Sequence, residues 1–221
     1  SKNAMGDTST LGWESDVAKL IKNLDNCEFI GYDNLNCDAK VIAILKDGEM
    51  ADELVAGDDG IIITDRTVFY GESGGQSGDT GVISTDKVSV KVNDTIKYSE
   101  GKIGHNVTVE KGILTVNEEV KLEVDKVKRL STARNHSTTH LLQKALKMVL
   151  GDHVNQSGSY VSPERLRFDF SHFEAMTSEE IVKVEEIVNN AILESMDIEC
   201  RVMDIEEAKK LGAMALFGEK Y

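Results

Sequence analysis

NHSTTHLLQKALKMVLG, residues 135–151, is the stretch that decides the architecture, because its helical period contrasts with the run of strands expected over 28–124. Leu141, Leu142, Ala145, Leu146, Val149 and Leu150 recur at helical spacing. At about 100° per residue they form one stripe centred on Ala145 and Val149. His136 and His140 point to roughly the opposite side, so the helix can dock its leucines and still present both imidazoles to a cleft. Residues four apart on a helix have Cβ atoms roughly 5–6 Å apart, close enough for two imidazoles to share one metal ion, and zinc readily takes nitrogen ligands. The alternative is a pair of solvated histidines on an exposed face. The pattern is not that of the H-E-x-x-H proteases, in which a glutamate base follows the first histidine; here that place is held by Ser137.

The 221-residue chain is 40% apolar, enough for one large domain or two small ones, and no apolar run is long enough to span a membrane. Ser1–Met5, SKNAM, reads as a cloning remnant, and the N-terminus lacks the apolar core of a secretory signal. Cys27, Cys37 and Cys200 form an odd set without C-x-x-C spacing, which points to reduced thiols in a cytoplasm. The net charge of −14 argues against a broad nucleic-acid surface. It is unevenly spread: residues 1–127 hold 13 Lys and Arg against 24 Asp and Glu, whereas 128–221 hold 12 against 15. A basic cluster, Lys126, Lys128, Arg129 and Arg134, marks the junction and is the place to seek a polyanion contact, its alternative being an ordinary solvated cluster.

Upstream of the junction, 15–24 has helical spacing at Val17, Leu20, Ile21 and Leu24, but one such helix needs a partner. Short Val- and Ile-rich strands are expected at 28–32, 40–45, 60–64, 87–92, 106–110, 113–116 and 120–124, with hairpin turns at Lys46-Asp47-Gly48 and Lys111-Gly112. Strands at this spacing suggest a small barrel or sandwich. Phe69 to Gly81, FYGESGGQSGDTG, carries five glycines and reads as a tight surface loop, bordering a site or not; it matches neither a P-loop nor a dinucleotide fingerprint.

Downstream, the histidine helix stops at Gly151, and strands follow at 157–161 and 165–171. In the second, Leu166, Phe168 and Phe170 face one way, and Arg167 and Asp169 the other, on a solvated surface or a cleft wall. Thr177 and Glu180 form a capping box ahead of a helix striped by Ile181, Val184, Ile187, Val188, Ala191 and Ile192. A strand at 198–203 and a short helix from Asp204 to Gly212 complete the pattern. The expected class is α+β: a lead-in (1–27), a small β-barrel subdomain (28–127), and an α+β core (128–221) with long helices packed on an antiparallel sheet. The last seven residues, ALFGEKY, end without a polar tail and read as the edge of a fragment.

Three stretches, DRTVFYGESGGQSGDTG (65–81), RNHSTTHLLQKALKMVLGDHVNQSGSYVSPERLRFDFSHFEAMTSEEI (134–181) and GAMALFGEKY (212–221), together resemble the editing region of the alanyl-tRNA synthetases. The resemblance implies a barrel followed by an α+β core, shared with threonyl-tRNA synthetases, that hydrolyses tRNA(Ala) mischarged with serine or glycine. It implies zinc held by His136 and His140 and by a later C-x-x-x-H. No cysteine here has a histidine four residues on, so the second ligand pair is missing and the core is read as truncated at its C-terminus. It also implies that ATP and alanine bind elsewhere in the parent ligase and not on this chain. Within the site it points to Thr139, beside the metal face, as a bond to a serine hydroxyl or a water, with an ordinary helix threonine as the alternative. Gln156 is a pocket residue or a loop glutamine. Gly74, Gly75, Gln76, Arg167 and Asp169 shape the pocket for the tRNA end, Arg167–Asp169 alternatively being a structural pair, and His172 is read as structural. The readings in view are an editing region of the synthetase, a free-standing editing protein acting in trans, and a non-catalytic RNA-binding module.

Overall fold

The computed structural model describes residues 16–198, 201 and 203–211. They divide into two compact units: everything up to Asn135 together with Tyr160–Arg165, and His136–Ser159 together with the described residues from Leu166 on.

The first unit is a closed barrel. Its six strands run β11 (Glu119–Val124), β7 (Gly81–Ser84), β8 (Ser89–Ser99), β9 (Lys102–Lys111), β5 (Asp59–Thr64) and β2 (Asn36–Lys46), and β2 pairs back onto β11. Every pair is antiparallel. One long strand serves two neighbours: β2 pairs with β11 through residues 36–40 and with β5 from Val41 on, with a register shift between Val41 and Ala43. A bulge bends its strand, and here it lets β2 turn the corner that closes the barrel. Alternation then fills the interior with Val120, Leu122 and Val124 from β11 and Val90 and Val92 from β8, joined by Phe69. Short pieces decorate the barrel: β3 (Glu49–Ala51) on β2, β4 (Glu53–Val55) with β10 (Ile113–Thr115), and β1 (Glu28–Phe29) parallel to β6 (Arg66–Thr67).

Strand β5 departs from simple alternation, because Ile61, Ile62 and Ile63 are all buried. Ile62 faces the barrel interior, while Ile61 and Ile63 join Ala43 and Leu45 under helix α1 (residues 16–21), whose Val17 and Ile21 are 1% and 0% exposed. The partner that the 15–24 helix needs is therefore the outer face of the barrel, and burying one such isoleucine is worth about 2 kcal/mol.

A polar group sits in the apolar interior. His105 is fully buried, its Nδ1 2.8 Å from the Ile62 carbonyl and its Nε2 2.8 Å from Thr67 Oγ1. A carbonyl only accepts, so Nδ1 carries the proton, and Nε2 accepts from the threonine hydroxyl, which itself accepts from the Phe69 N–H. The ring is thus neutral and satisfied, and its removal from water pushes its pKa down to about 4.

Two expectations about turns meet different fates. Asp47 (φ 52°) and Gly48 (φ 84°) form the left-handed pair that joins β2 to β3. Lys111-Gly112 is not a hairpin: β10 leaves the barrel there to pair with β4, and the hairpin between β8 and β9 lies at 99–102 around Gly101 (φ 69°). Gly112 is needed for the departure, since a Cβ would come 2.5 Å from the Lys87 carbonyl.

In the second unit, the distal part of α2 (Lys126–Leu150) packs with α3 (Ser178–Leu193) and with Val154 and Phe168, burying Ala145, Leu146, Val184 and Val188. Strands β12 (Gln156–Val161) and β13 (Leu166–Phe170) form a two-stranded sheet, and α4 (Ile205–Lys210) follows. Gly151 ends α2 at φ 112°, its N–H bonded to the Lys147 carbonyl. The strand expected at 198–203 and the GAMALFGEKY motif fall wholly or mostly outside the described residues. The capping box is present: Thr177 Oγ1 accepts from the Glu180 N–H, and the Glu180 carboxylate accepts from the Thr177 N–H at 2.8 Å. Thr177→Ala is expected to lower stability by about 1 kcal/mol, read as a shift in the urea midpoint. A midpoint that does not move would show that α3 starts without its cap.

Candidate functional site

Asp125 starts the histidine helix, its carboxylate accepting from the Lys128 N–H at 3.1 Å. From there α2 runs 25 residues. One face of its distal part carries His136 and His140, both exposed, with ring centroids 5.2 Å apart and planes 34° apart. Two imidazoles at a tetrahedral angle on a zinc ion with bonds of about 2.0–2.1 Å have centroids about 5 Å apart, so this pair fits two corners of such a site. Partial desolvation and, second, the neighbouring charge of His140 hold the His136 pKa below its ordinary value, which favours the neutral imidazole that a metal binds. Among the described residues no group of three or more His, Cys, Asp or Glu that could hold a metal ion converges.

Thr139 is buried beside the exposed pair. Sequence reading passed over Gln143, which is buried although polar. It follows His136 by seven residues and His140 by three and therefore shares their face; that spacing was the available signal.

Gln156 opens β12 half-buried, and its Nε2 donates to Ser159 Oγ at 3.2 Å. Arg167 and Asp169 make an ion pair of 3.1 Å on β13, with side chains 64% and 45% exposed, a surface contact that contributes little. Asp169 also explains Gly158, where a Cβ would lie 2.9 Å from its carboxylate. His172 bonds to His153.

The glycine-rich stretch belongs to the first unit. Gly74 (φ 59°) and Gly75 (φ 80°) form a two-residue turn closed by reciprocal backbone bonds between Ser73 and Gln76. The small hairpin is held on both sides, by the Glu72 N–H to the Thr95 carbonyl and by the Ser77 N–H to the Val161 carbonyl. It is thus a braced tip, with open space where a Cβ at Gly74 would stand.

The basic cluster needs a correction. Arg129 is an internal clamp and not a surface cation: its side chain is 15% exposed and its guanidinium binds the Asp79 carboxylate, itself 7% exposed, together with the Gly31 and Val68 carbonyls. Asp79 sits inside the glycine-rich stretch and also accepts from the Tyr70 N–H. Lys126 and Lys128 are exposed, and Arg134 reaches Ser131 Oγ.

The sequence pattern of the family "tRNA synthetases class II (A)" matches residues 1–128. The chain belongs to this family. As a class II (A) sequence it is similar along its length to alanine–tRNA ligases: 51% identical over 209 residues to that of Acetivibrio thermocellus, covering 95% of this chain and 24% of the relative. The alanine–tRNA ligase of Alkaliphilus oremlandii is 44% identical over the whole chain and 25% of its own length. That of Bacillus cytotoxicus is 52% identical over 194 residues, 88% of this chain and 22% of the relative. The chain spans about a quarter of the length of the curated relatives it matches. Cys27 and Cys37 are free thiols, and burial pushes Cys27 up to about 12, far from a reactive thiolate. No helix among the described residues is long and apolar enough to cross a membrane.

Proposed function

We propose that this segment is the editing part of an alanine–tRNA ligase, hydrolysing the ester of tRNA(Ala) mischarged with serine or glycine. The supporting observation is the exposed His136–His140 face, spaced for one metal ion, in a chain similar over nearly all its length to alanine–tRNA ligases. A pocket that selects alanine rejects glycine by only about 1–3 kcal/mol and discriminates weakly against an added hydroxyl, so a second, hydrolytic site is the physical remedy. His136 and His140 would hold zinc as two of its ligands, through their imidazole nitrogens. When bound, the ion supplies a Lewis acid at the ester. Gln156, fixed at the start of β12, binds the amino acid or the terminal nucleotide through its amide. The buried Thr139 and Gln143 give the histidine face polar neighbours, which a serine hydroxyl can bond and an alanine methyl cannot. Exposed Lys126 and Lys128 meet the tRNA backbone. ATP-dependent ligation of alanine belongs to other parts of the longer enzyme.

The test compares release of serine from Ser-tRNA(Ala) and of alanine from Ala-tRNA(Ala), with zinc present, by this chain and by a full-length ligase carrying it. The full-length protein is expected to release serine selectively, and His140→Ala to slow it at least a hundredfold without loss of tRNA binding. Unchanged hydrolysis in His140→Ala removes the metal face from the reaction. Binding of Ser-tRNA(Ala) without any hydrolysis leaves an RNA-binding module.

A further inference from the structure

Beside the loop that leads into Gln156 lies a second pair of histidines, which the editing reading leaves without a task. His153 Nε2 lies 2.9 Å from His172 Nδ1. Between this pair and the strands, the Ser171 N–H donates to the Asn155 carbonyl at 3.0 Å, and the Asn155 amide donates to the His153 carbonyl. Gln156 is the next residue in the chain. The two imidazoles therefore close the open end of the β12–β13 pair, immediately behind the glutamine. Further contacts hold the rings in place. Phe173 stacks on His153 at 4.5 Å, and Gly151 leaves room for the His153 ring, since a Cβ there would come 3.2 Å from Nδ1.

We infer that His153 and His172 are positioning residues for Gln156: their mutual hydrogen bond fixes the start of β12, and with it the direction in which the glutamine amide is presented. This rests on the editing reading for its catalytic consequence but not for its structural one.

The bond needs one donor and one acceptor, so at least one ring must be neutral.

Amide side chains separate this role from a general structural one. An Asn amide can stand in for the Nδ1 of His172 and keep a partner for His153; His172→Ala removes the partner. The experiment follows the side-chain amide resonances of Gln156 by NMR in this chain, together with deacylation of Ser-tRNA(Ala) by the full-length ligase. His172→Ala should shift and broaden the Gln156 resonances, with kcat about tenfold lower and KM little changed, as expected for a misdirected group. His172→Asn should keep the wild-type signals and kcat. Gln156 resonances in His172→Ala that match the wild type overturn the inference, whatever the enzyme does. Gln156 resonances that shift in His172→Ala and return in His172→Asn, in a full-length protein that never deacylates, sink the editing reading and leave the positioning bond standing.

Discussion

Arg129→Ala is expected to cost about 3–5 kcal/mol of stability, the largest effect of any single change proposed for this chain. The guanidinium makes a fork onto Asp79 and donates to two backbone carbonyls, Gly31 and Val68, at 2.7 Å each. Truncation leaves a carboxylate that is 7% exposed with the Tyr70 N–H as its remaining described donor, and two carbonyls without theirs. The penalty comes from the stranded charge more than from the lost attraction, and this yields a second expectation. The double replacement Arg129→Met with Asp79→Leu should be markedly less destabilised than Arg129→Ala alone, because it strands no charge. Arg129→Lys should fall between, since an ammonium keeps the charge and loses the fork. Urea titrations of the three variants decide the matter. A loss below about 1 kcal/mol for Arg129→Ala would mean that water reaches Asp79 and that the clamp is a surface pair.

Acid should weaken the barrel through its buried histidine. His105 is pushed from its ordinary 6.5 down to about 4 by burial, so the unfolded chain takes up a proton across that interval which the folded barrel refuses. The stability is complete above pH 6.5 and drains away as the pH falls toward 4. Each tenfold difference in proton affinity between the two states is worth about 1.4 kcal/mol, so the loss reaches about 3 kcal/mol. His136, also held low, adds in the same direction, and His136→Asn separates its share. Below this interval a different set takes over. The pKa of Asp58 is lowered by its bond to Lys46, and that of Glu180 by the Thr177 N–H, so their contributions disappear only as the pH falls through those lowered values. His105→Gln should flatten the slope between pH 6.5 and 4 and keep the drop beneath it. A slope unchanged in His105→Gln would assign the acid response to other groups.

Much of this was legible where local chemistry and periodicity agree. The histidine helix, its leucine stripe and the Thr177 box each follow from residues close in sequence, and the structure has all three. The barrel class was legible from short Val- and Ile-rich strands, but its edges were not. Strands β3, β4, β6 and β7 have two to four residues and are defined by what they pair with. The role of Arg129 was hidden for a related reason: among neighbours Lys126 and Lys128 it looks like one more surface cation, and only Asp79, fifty positions earlier, makes it an interior group. His105 gave no sign either, because a histidine in an alternating strand does not announce which face it takes.

The pairing of β2 with β11 also fixes when the barrel can close. Asn36 meets Glu123 and Lys40 meets Glu119, so the seam joins nearly the two ends of the barrel sequence. Bringing such distant segments together costs chain entropy before any contact rewards it, and it slows folding relative to local structure. On the ribosome the early strands must wait, unsealed, until the closing strand emerges. Lys126, the first residue of the histidine helix, comes out two positions after the last residue of that strand. The sealing of the barrel and the birth of the helix that carries the metal-spaced pair are therefore nearly a single event in synthesis.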